Sequence, residues 1–167
     1  MMLQLIINNL YAMMVSIVIA GVFSCMILDI LGYLQKMIGI PEPSWNILGR
    51  WGYYMIKNGI LFNPKIDEMP KYKHELIFGW IFHYLISICW ALIYYISFIF
   101  LGIKMSYFSG FIFGIITTLA PLLIFLPFTG QGIFGINTGK PMQISIVFLV
   151  RHSIYGIAIY EAFRWFN

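Results

Sequence analysis

The stretch LIFGWIFHYLISICWALIYYISFIFL (Leu76–Leu101) contains no Asp, Glu, Lys or Arg. About 20 apolar residues suffice for a helix to cross the roughly 30 Å hydrocarbon core of a bilayer. Two further stretches are also uncharged, Leu10–Leu28 and Met105–Leu126. A fourth apolar stretch, Met142–Phe163, is interrupted by Arg151, His152 and Glu161. We therefore predict an all-α integral membrane four-helix bundle, a single domain over residues 1–167, with spans at about residues 10–34, 76–101, 105–126 and 142–163.

The composition agrees with a lipid environment. Hydrophobic residues make up 61% of the 167 residues, charged residues make up 10%, and the mean hydropathy is +0.87. Soluble domains carry roughly 25% charged residues, so this chain has too few charges to cover a surface that faces water. Membrane-spanning β-strands would show alternating hydrophobicity over about ten residues, and no such alternation occurs. The composition therefore excludes a soluble globular domain.

Basic residues collect on one side of the predicted spans. Seven lie in the loops between spans one and two and between spans three and four: Lys36, Arg50, Lys57, Lys65, Lys71, Lys73 and Lys140. The other side has only Lys104 and Arg164. The positive-inside rule then places both loops in the cytoplasm and both termini on the opposite side of the membrane. Because no base-reading motif accompanies these residues, we expect the lipid bilayer and no nucleic acid as a partner.

A short amphipathic helix is predicted in the first loop, at about residues 44–58. The motif PEP (Pro41–Pro43) ends any helix that continues from the first span, and Ser44 is a suitable N-cap. Polar and apolar side chains then recur on opposite faces: Asn46, Arg50, Tyr53 and Lys57 on one, Trp45, Leu48, Trp51 and Met55 on the other. We interpret the segment as an interfacial helix with its tryptophans at headgroup depth. A gate or a docking helix is the alternative.

Small residues recur at helical spacing within two spans. Ser16, Ala20 and Ser24 lie in the first span, and GFIFG (Gly110–Gly114) lies in the third. Such residues let helices approach closely in lipid, where packing drives association. We therefore expect them at the helix contacts of the bundle. A transport path through so small a chain would need a homo-oligomer.

The spans also contain polar side chains that lipid penalises. In the second span one stripe is formed by His83, Ser87, Trp90, Tyr94 and Ser97. Arg151 costs about 2.5–3.5 kcal/mol on insertion scales without a partner or water, and its candidate partners are Asp29, at the cytoplasmic end of the first helix, and Glu161. We predict that six residues converge in a pocket of the cytoplasmic half: Asp29, His83, Ser87, Gln131, Arg151 and His152. The alternative is a structural network that only fixes helix packing.

The segment FLPFTGQGIFGINTGKP (Phe125–Pro141) contains GQGIFG, the letters of a dinucleotide-binding fingerprint. That fingerprint joins a strand to a helix and needs an acidic residue about 20 positions later. Here it follows a membrane helix, and Tyr155 stands at that position, so the match is accidental. Pro127 and Pro141 keep the segment out of the adjacent helices. Its apolar side chains indicate a loop that re-enters the membrane or packs over the bundle mouth; an interfacial loop without function is the alternative.

No cofactor is expected from the sequence. Cys25 and Cys89 lie in apolar helices, where a free cysteine behaves as a small buried hydrophobe, and two such cysteines indicate neither disulfides nor a zinc cluster. His83 and His152 lie on separate helices, which is the minimum for bis-histidine haem ligation. Haem or a metal ion bound through these two histidines is therefore the alternative.

Four pieces of sequence run in order across nearly the whole chain: GIPEPSWNILGRWGYYM (Gly39–Met55), HELIFGWIFHY (His74–Tyr84), PFTGQGIFGINTGKP (Pro127–Pro141) and RHSIYGIAIY (Arg151–Tyr160). In these pieces the chain resembles an uncharacterised bacterial family of small membrane proteins, a domain of unknown function. The resemblance implies an inner-membrane protein of four helices. It implies no activity.

Three functional hypotheses follow. The first is a multipass membrane protein whose polar pocket opens to the cytoplasm and binds or transports a small molecule, an ion or a proton. His83 and His152 would titrate or contact the ligand, since the unperturbed histidine pKa is about 6.5, and Arg151 would contact an anion or pair with Asp29. The second is a structural or accessory protein whose polar residues only lock the bundle. A membrane enzyme comes third, because no nucleophile–base pair or acidic cluster has a usual spacing.

Overall fold

The computed structural model describes residues 2–40 and 43–166, with side chains from residue 7 onward. Four helices are long and apolar enough to cross a membrane, and no strand occurs among the described residues. We call them the first to fourth spans: Met2–Met37, Glu75–Leu101, Tyr107–Phe128 and Pro141–Phe166. The all-α membrane fold predicted from the sequence is confirmed. Its description as one domain stays a prediction.

The first span is longer than the sequence suggested. It ends at Met37, and Gly39 then turns the chain with a positive φ of 79°. Asp29 therefore lies two turns inside the helix and not at its end. In the PEP motif, Pro41 and Glu42 lie outside the described residues, so only Pro43 has a described place.

The third span is irregular at its centre. The α-helix that begins at Tyr107 ends at Thr117, a π-helical turn covers Pro121–Phe125, and one last turn covers Leu126–Phe128. Pro121 has no N–H for the carbonyl four residues earlier, and its ring crowds that carbonyl. The helix is wider at this π-helical turn. Such turns inside helices are frequent at functional sites.

Glycines bring the third and fourth spans into backbone contact. A Cβ atom on Gly114 would lie 2.1 Å from the His152 carbonyl oxygen, and one on Gly156 would lie 2.0 Å from the Gly110 carbonyl oxygen. Only residues without a side chain fit there, which confirms GFIFG as a packing motif. The fourth span also packs against the first, and the first packs against the second.

The small residues of the first span lie inside the bundle, as predicted. Ser16, Ala20 and Ser24 are buried. The Ser24 hydroxyl donates to the Ala20 carbonyl oxygen at 2.6 Å, within its own helix. Gly21, next to Ala20, faces the backbone of Ile88. A Cβ atom on Gly21 would lie 2.6 Å from the Ile88 Cα atom. The first and second spans are therefore in close contact at the middle of the bundle.

The amphipathic helix covers Trp45–Asn58, and Ser44 is its N-cap as predicted, accepting from the Ile47 N–H at 3.4 Å. It packs against the start of the second span. A Cβ atom on Gly49 would lie 1.7 Å from the Glu75 carbonyl oxygen, and one on Gly79 would lie 2.0 Å from the Trp45 carbonyl oxygen. Two glycines thus let the helices meet backbone to backbone.

Arg50 departs from the prediction, which placed it on the polar outer face of this helix. Its side chain is buried and forms a bidentate ion pair with Glu75, with Nε to Oε2 at 2.9 Å and Nη2 to Oε1 at 3.0 Å. Nη1 donates to the carbonyl oxygens of Ile66 and Asp67. The Glu75 carboxylate raises the pKa of the Arg50 guanidinium above its usual value. The Arg50 side of the helix therefore faces protein as well, because protein groups and not water bind the guanidinium.

The glycine-rich segment closes over the same end of the bundle as the first loop. The Asn63 N–H donates to the Phe128 carbonyl oxygen at 2.8 Å, and a Cβ atom on Gly130 would lie 2.0 Å from the Pro64 carbonyl oxygen. Four glycines take positive φ angles there: Gly130, Gly132, Gly135 and Gly139. We call this end, which carries both basic loops, the basic end. Re-entry of the segment into lipid stays a prediction.

Replacing Gly49 with alanine should lower the melting temperature of the detergent-solubilised protein by about 5 °C, because the methyl group overlaps the Glu75 carbonyl. This loss should appear although alanine has the higher intrinsic helix propensity. Differential scanning fluorimetry measures it.

Gly52→Ala, in the same helix, is the matched control. The atoms nearest to its Cβ atom would belong to the rings of Phe78 and Phe82, at 3.2 Å, and rings can shift. If Gly49→Ala is as stable as the wild type, the two backbones are not in contact.

Candidate functional site

A cavity of about 190 Å³ lies between the second, third and fourth spans and the amphipathic helix. Six aromatic side chains line it together with several aliphatic ones: Trp45, Trp51, Trp90, Phe125, Phe148 and Tyr155. Four of the predicted pocket residues reach the same space, namely His83, Ser87, Arg151 and His152. The structure therefore brings together the polar residues of the second and fourth spans.

The cavity exists because the amphipathic helix separates two spans at the basic end. Away from that end the second and third spans touch directly, since the Tyr94 hydroxyl and Ser109 Oγ are 2.8 Å apart. At the basic end Trp51 stands between them, with edge-on ring contacts to Phe82 at 5.9 Å and to Phe125 at 5.7 Å. Its indole N–H donates to the Leu61 carbonyl oxygen at 2.7 Å, which fixes the ring.

His83 lies between the amphipathic helix and the first span. Its ring packs against Trp45 with centroids 4.5 Å apart and an angle of 37° between the ring planes. Its Nε2 atom is 3.4 Å from Asp29 Oδ1, and the Tyr84 hydroxyl donates to Asp29 Oδ2 at 2.7 Å. Asp29 is thus placed behind His83, outside the wall of the cavity.

Arg151 is buried in the middle of the bundle, with 3% of its surface exposed. Its Nη2 atom donates to the Leu28 carbonyl oxygen at 3.0 Å. The contacts described for Asp29 come from Tyr84 and His83 of the second span, and its pairing with Arg151 stays a prediction. The other candidate partner, Glu161, is engaged near the far end by residues that the sequence argument did not consider: Tyr107, Arg164 and Trp165.

Ser87 joins three spans. Its hydroxyl donates to the Gly21 carbonyl oxygen at 2.7 Å and lies 3.0 Å from the Tyr155 hydroxyl. The Tyr155 hydroxyl in turn lies 3.1 Å from the Ser87 carbonyl oxygen. The orientation of the His152 ring is also fixed, because its Nδ1–H donates to the Phe148 carbonyl oxygen at 2.8 Å. Part of the predicted pocket therefore also fixes helix packing.

Gln131 is the one predicted pocket residue on a different cavity. That cavity, of about 310 Å³, lies between the glycine-rich segment and the start of the fourth span, and Lys140 and Gln143 also line it. The Gln131 side-chain N–H donates to Thr129 Oγ1 at 3.2 Å. Phe125 and Phe148 line both cavities, so they stand between Gln131 and the histidines.

Several residues at the site were missed by the sequence argument. Tyr155 follows Arg151 by one helical turn, and this spacing was a usable signal. Cys25 precedes Asp29 by one turn, and the Sγ atom, a carboxylate oxygen of Asp29 and a ring nitrogen of His83 lie within 4.8 Å of one another. Cys89, by contrast, is exposed on the outside of the bundle and not buried as expected.

Haem or a metal ion bound through His83 and His152 stays an alternative. The two rings border one cavity, but its volume of about 190 Å³ is below the roughly 300–1,000 Å³ of pockets that hold drug-sized ligands. Nδ1 of His152 donates to a carbonyl of its own helix, so Nε2 is the nitrogen that would bind a metal, as is usual for ligating histidines.

Comparison with known proteins gives one match. A family model described as Protein of unknown function (DUF2938) matches residues 17–164, which include all four spans from Ile17 onward. No curated protein matches, and no solved structure matches.

The Ser87–Tyr155 contact should be measurable as a coupling energy. In a double-mutant cycle of Ser87→Ala and Tyr155→Phe, we expect a coupling of about 0.5–1.5 kcal/mol, the range of hydrogen bonds between helices in membranes. Reversible unfolding of the detergent-solubilised protein measures the four free energies of unfolding.

A second cycle supplies the control. Ser97 donates only to the Ile93 carbonyl oxygen of its own helix, so Ser97→Ala combined with Tyr155→Phe should give no coupling. Equal coupling in both cycles would mean that Tyr155 and Ser87 do not interact specifically.

Proposed function

The chain belongs to this family, and we propose that it binds a small molecule in the aromatic cavity at the basic end. The ligand is expected to have an apolar body the size of one ring and an anionic or hydrogen-bond-accepting group. The observation that carries the proposal is the combination of aromatic walls with Arg151, His83 and His152 on a single cavity inside a membrane protein.

The size of the cavity sets the size of the ligand. An engineered apolar cavity of about 150 Å³ binds benzene, and the cavity here has about 190 Å³. Trp45, Trp51 and Trp90 provide flat apolar surfaces at its wall. One aromatic ring or a short branched chain with a small polar group matches this volume.

The charge of Arg151 sets the chemistry of the polar group. A guanidinium cannot lose its proton in a protein, so the wall carries a fixed positive charge in surroundings of low polarity. Ionisable groups inside membranes commonly face substrate or ion pathways. A carboxylate is the ligand group that such a site would favour most.

Benzoate is the probe that we choose, because it combines one ring with one carboxylate. It should change the intrinsic tryptophan fluorescence saturably, since three of the five tryptophans line the cavity. Ala120→Phe, which fills the cavity from the third span, should weaken benzoate binding by about tenfold or more, or ~1.4 kcal/mol.

Leu119→Phe is the matched control. Leu119 is the neighbouring residue, and its side chain is 48% exposed on the outside of the bundle, so this variant should bind benzoate as the wild type does. The proposal fails if neither benzoate nor its neutral analogue benzamide binds to the wild type, or if both variants bind equally well.

A structural or accessory role is the second candidate. It is favoured by the contacts of Ser87, Tyr155 and Arg151, each of which bonds a neighbouring span. Under this alternative, Ala120→Phe changes stability but no ligand affinity, so the same experiment separates the two candidates.

We further propose that the protein lies in a bacterial inner membrane with its basic end in the cytoplasm. Both basic loops are at one end of the bundle, where the first loop and the glycine-rich segment are hydrogen-bonded to each other. Lysine and arginine near span ends favour the cytoplasmic side. Both termini would then lie in the periplasm.

Reporter fusions in a bacterial host test this orientation. Alkaline phosphatase fused after Asn167 should be active and green fluorescent protein at the same place should stay dark, because only the former matures in the periplasm. Fusions after Lys140, in the second basic loop, should give the opposite pattern. The proposed orientation is wrong if the two fusion points behave alike or in reverse.

A further inference from the structure

We propose that Cys25, Asp29 and His83 form a binding site for a divalent transition-metal ion of the zinc type. The inference does not rest on the proposed small-molecule binding, although the two sites share His83; Cys25 and Asp29 lie outside the wall of the aromatic cavity. It starts from three potential ligand atoms, one on each residue, that lie within 4.8 Å of one another.

The contact between His83 and Asp29 has the geometry of two ligands and not of a hydrogen bond. Nε2 and Oδ1 are 3.4 Å apart, both atoms are buried, and neither has a hydrogen-bond partner among the described residues. Two atoms at about 2.1 Å from a tetrahedral ion are separated by about 3.4 Å. An ion between them would satisfy both atoms at their present distance.

Cys25 provides the third ligand from the same face of the first span. It precedes Asp29 by four residues, which places the two side chains one above the other on a helix. Its side chain is fully buried, and its thiol points into the contact between the first and second spans. Zinc–sulfur bonds are about 2.3 Å long, so closing the three ligands around an ion needs movements of only about 1 Å.

Neighbouring groups already hold two of the ligands in place. The Tyr84 hydroxyl donates to Oδ2 of Asp29, which leaves Oδ1 directed at His83. Trp45 packs against the His83 ring with an angle of 37° between the ring planes, which limits the movement of the imidazole. Hydrogen bonds and packing of this kind orient the ligands of metal sites and contribute to affinity.

The charge of the complex fits its place inside the bundle. Binding converts the Cys25 thiol to a thiolate, and its proton leaves to solvent. The two negative charges of thiolate and Asp29 then balance the two positive charges of the ion, while His83 stays neutral. A neutral complex suits surroundings that penalise net charge.

The ligand set also selects the metal. Sulfur and imidazole ligands favour zinc and related transition metals, whereas Mg²⁺ and Ca²⁺ prefer oxygen ligands alone. Three protein ligands leave one position of a tetrahedral ion for water or another small ligand, as in catalytic and not in structural zinc sites. His83 also lines the aromatic cavity, so such a position would lie near it.

Co²⁺ is the probe, because a cobalt–thiolate bond absorbs in the near ultraviolet and reports sulfur coordination directly. The detergent-solubilised full chain, treated with a chelator, should bind one Co²⁺ with this absorption band, and one Zn²⁺ should displace it. Cys25→Ala should abolish the band. Tyr84→Phe should retain the band and weaken binding by about 10–100-fold.

The second cysteine is the matched control. Cys89 is exposed on the outside of the second span, so Cys89→Ala should bind Co²⁺ with the wild-type band. Cys25→Ser keeps the size of the side chain and replaces Cys25→Ala if the latter does not fold. Melting temperatures of the metal-free variants establish that each is folded.

Three outcomes would overturn the inference: no Co²⁺ bound at one equivalent, a thiolate band that survives Cys25→Ala, or a band that disappears in Cys89→Ala. His83 and Asp29 would then form a simple acid–base pair. Ala120→Phe should bind Co²⁺ normally, so failure of the benzoate experiment and failure of the metal site can be told apart.

Discussion

The contact between the amphipathic helix and the start of the second span is the constraint on which the site depends. Gly49 and Gly79 let the two backbones touch, and the buried Arg50–Glu75 pair fixes their register. A buried ion pair is weak evidence for stability, and its better-attested role is to fix how two segments are aligned. Its effect here is to carry Trp45 onto His83 and Trp51 between Phe82 and Phe125. Without this helix contact, the cavity at the basic end would lack the wall that Trp45 and Trp51 provide.

The polar groups inside the bundle fall into two kinds. Ser87 and Tyr155 bond to neighbouring spans and hold helices together. Asp29 and His83 face each other with two buried atoms that no hydrogen bond satisfies among the described residues. Lipid offers no water to such atoms, so an unsatisfied pair is costly. This cost makes Asp29 and His83, more than the packing residues, the place to look for a ligand.

The sequence predicted most of the fold because its main signals are local. Span positions follow from uncharged runs, the N-cap of the amphipathic helix follows from Ser44, and the close contacts of Gly110 and Gly114 follow from their spacing. Predictions of which side chains contact one another were less successful. Arg50 was assigned to the wrong face. Asp29 and Glu161 were both candidate partners of Arg151, and the local pattern did not reveal the contacts of Asp29 with the second span. A partner depends on how one helix is rotated and shifted against another, and no local pattern contains that information.

Sequence alone therefore determined that the chain is a four-span helical membrane protein, because hydrophobicity and helical periodicity act residue by residue along one segment. Only the tertiary structure decided that Gln131 borders a separate cavity, that three tryptophans line the same cavity as His83 and His152, and that Cys25 meets Asp29 and His83. The reason is physical: these arrangements arise from glycine contacts and ion pairs between segments far apart in the chain, where displacing one helix by a single turn would exchange every partner.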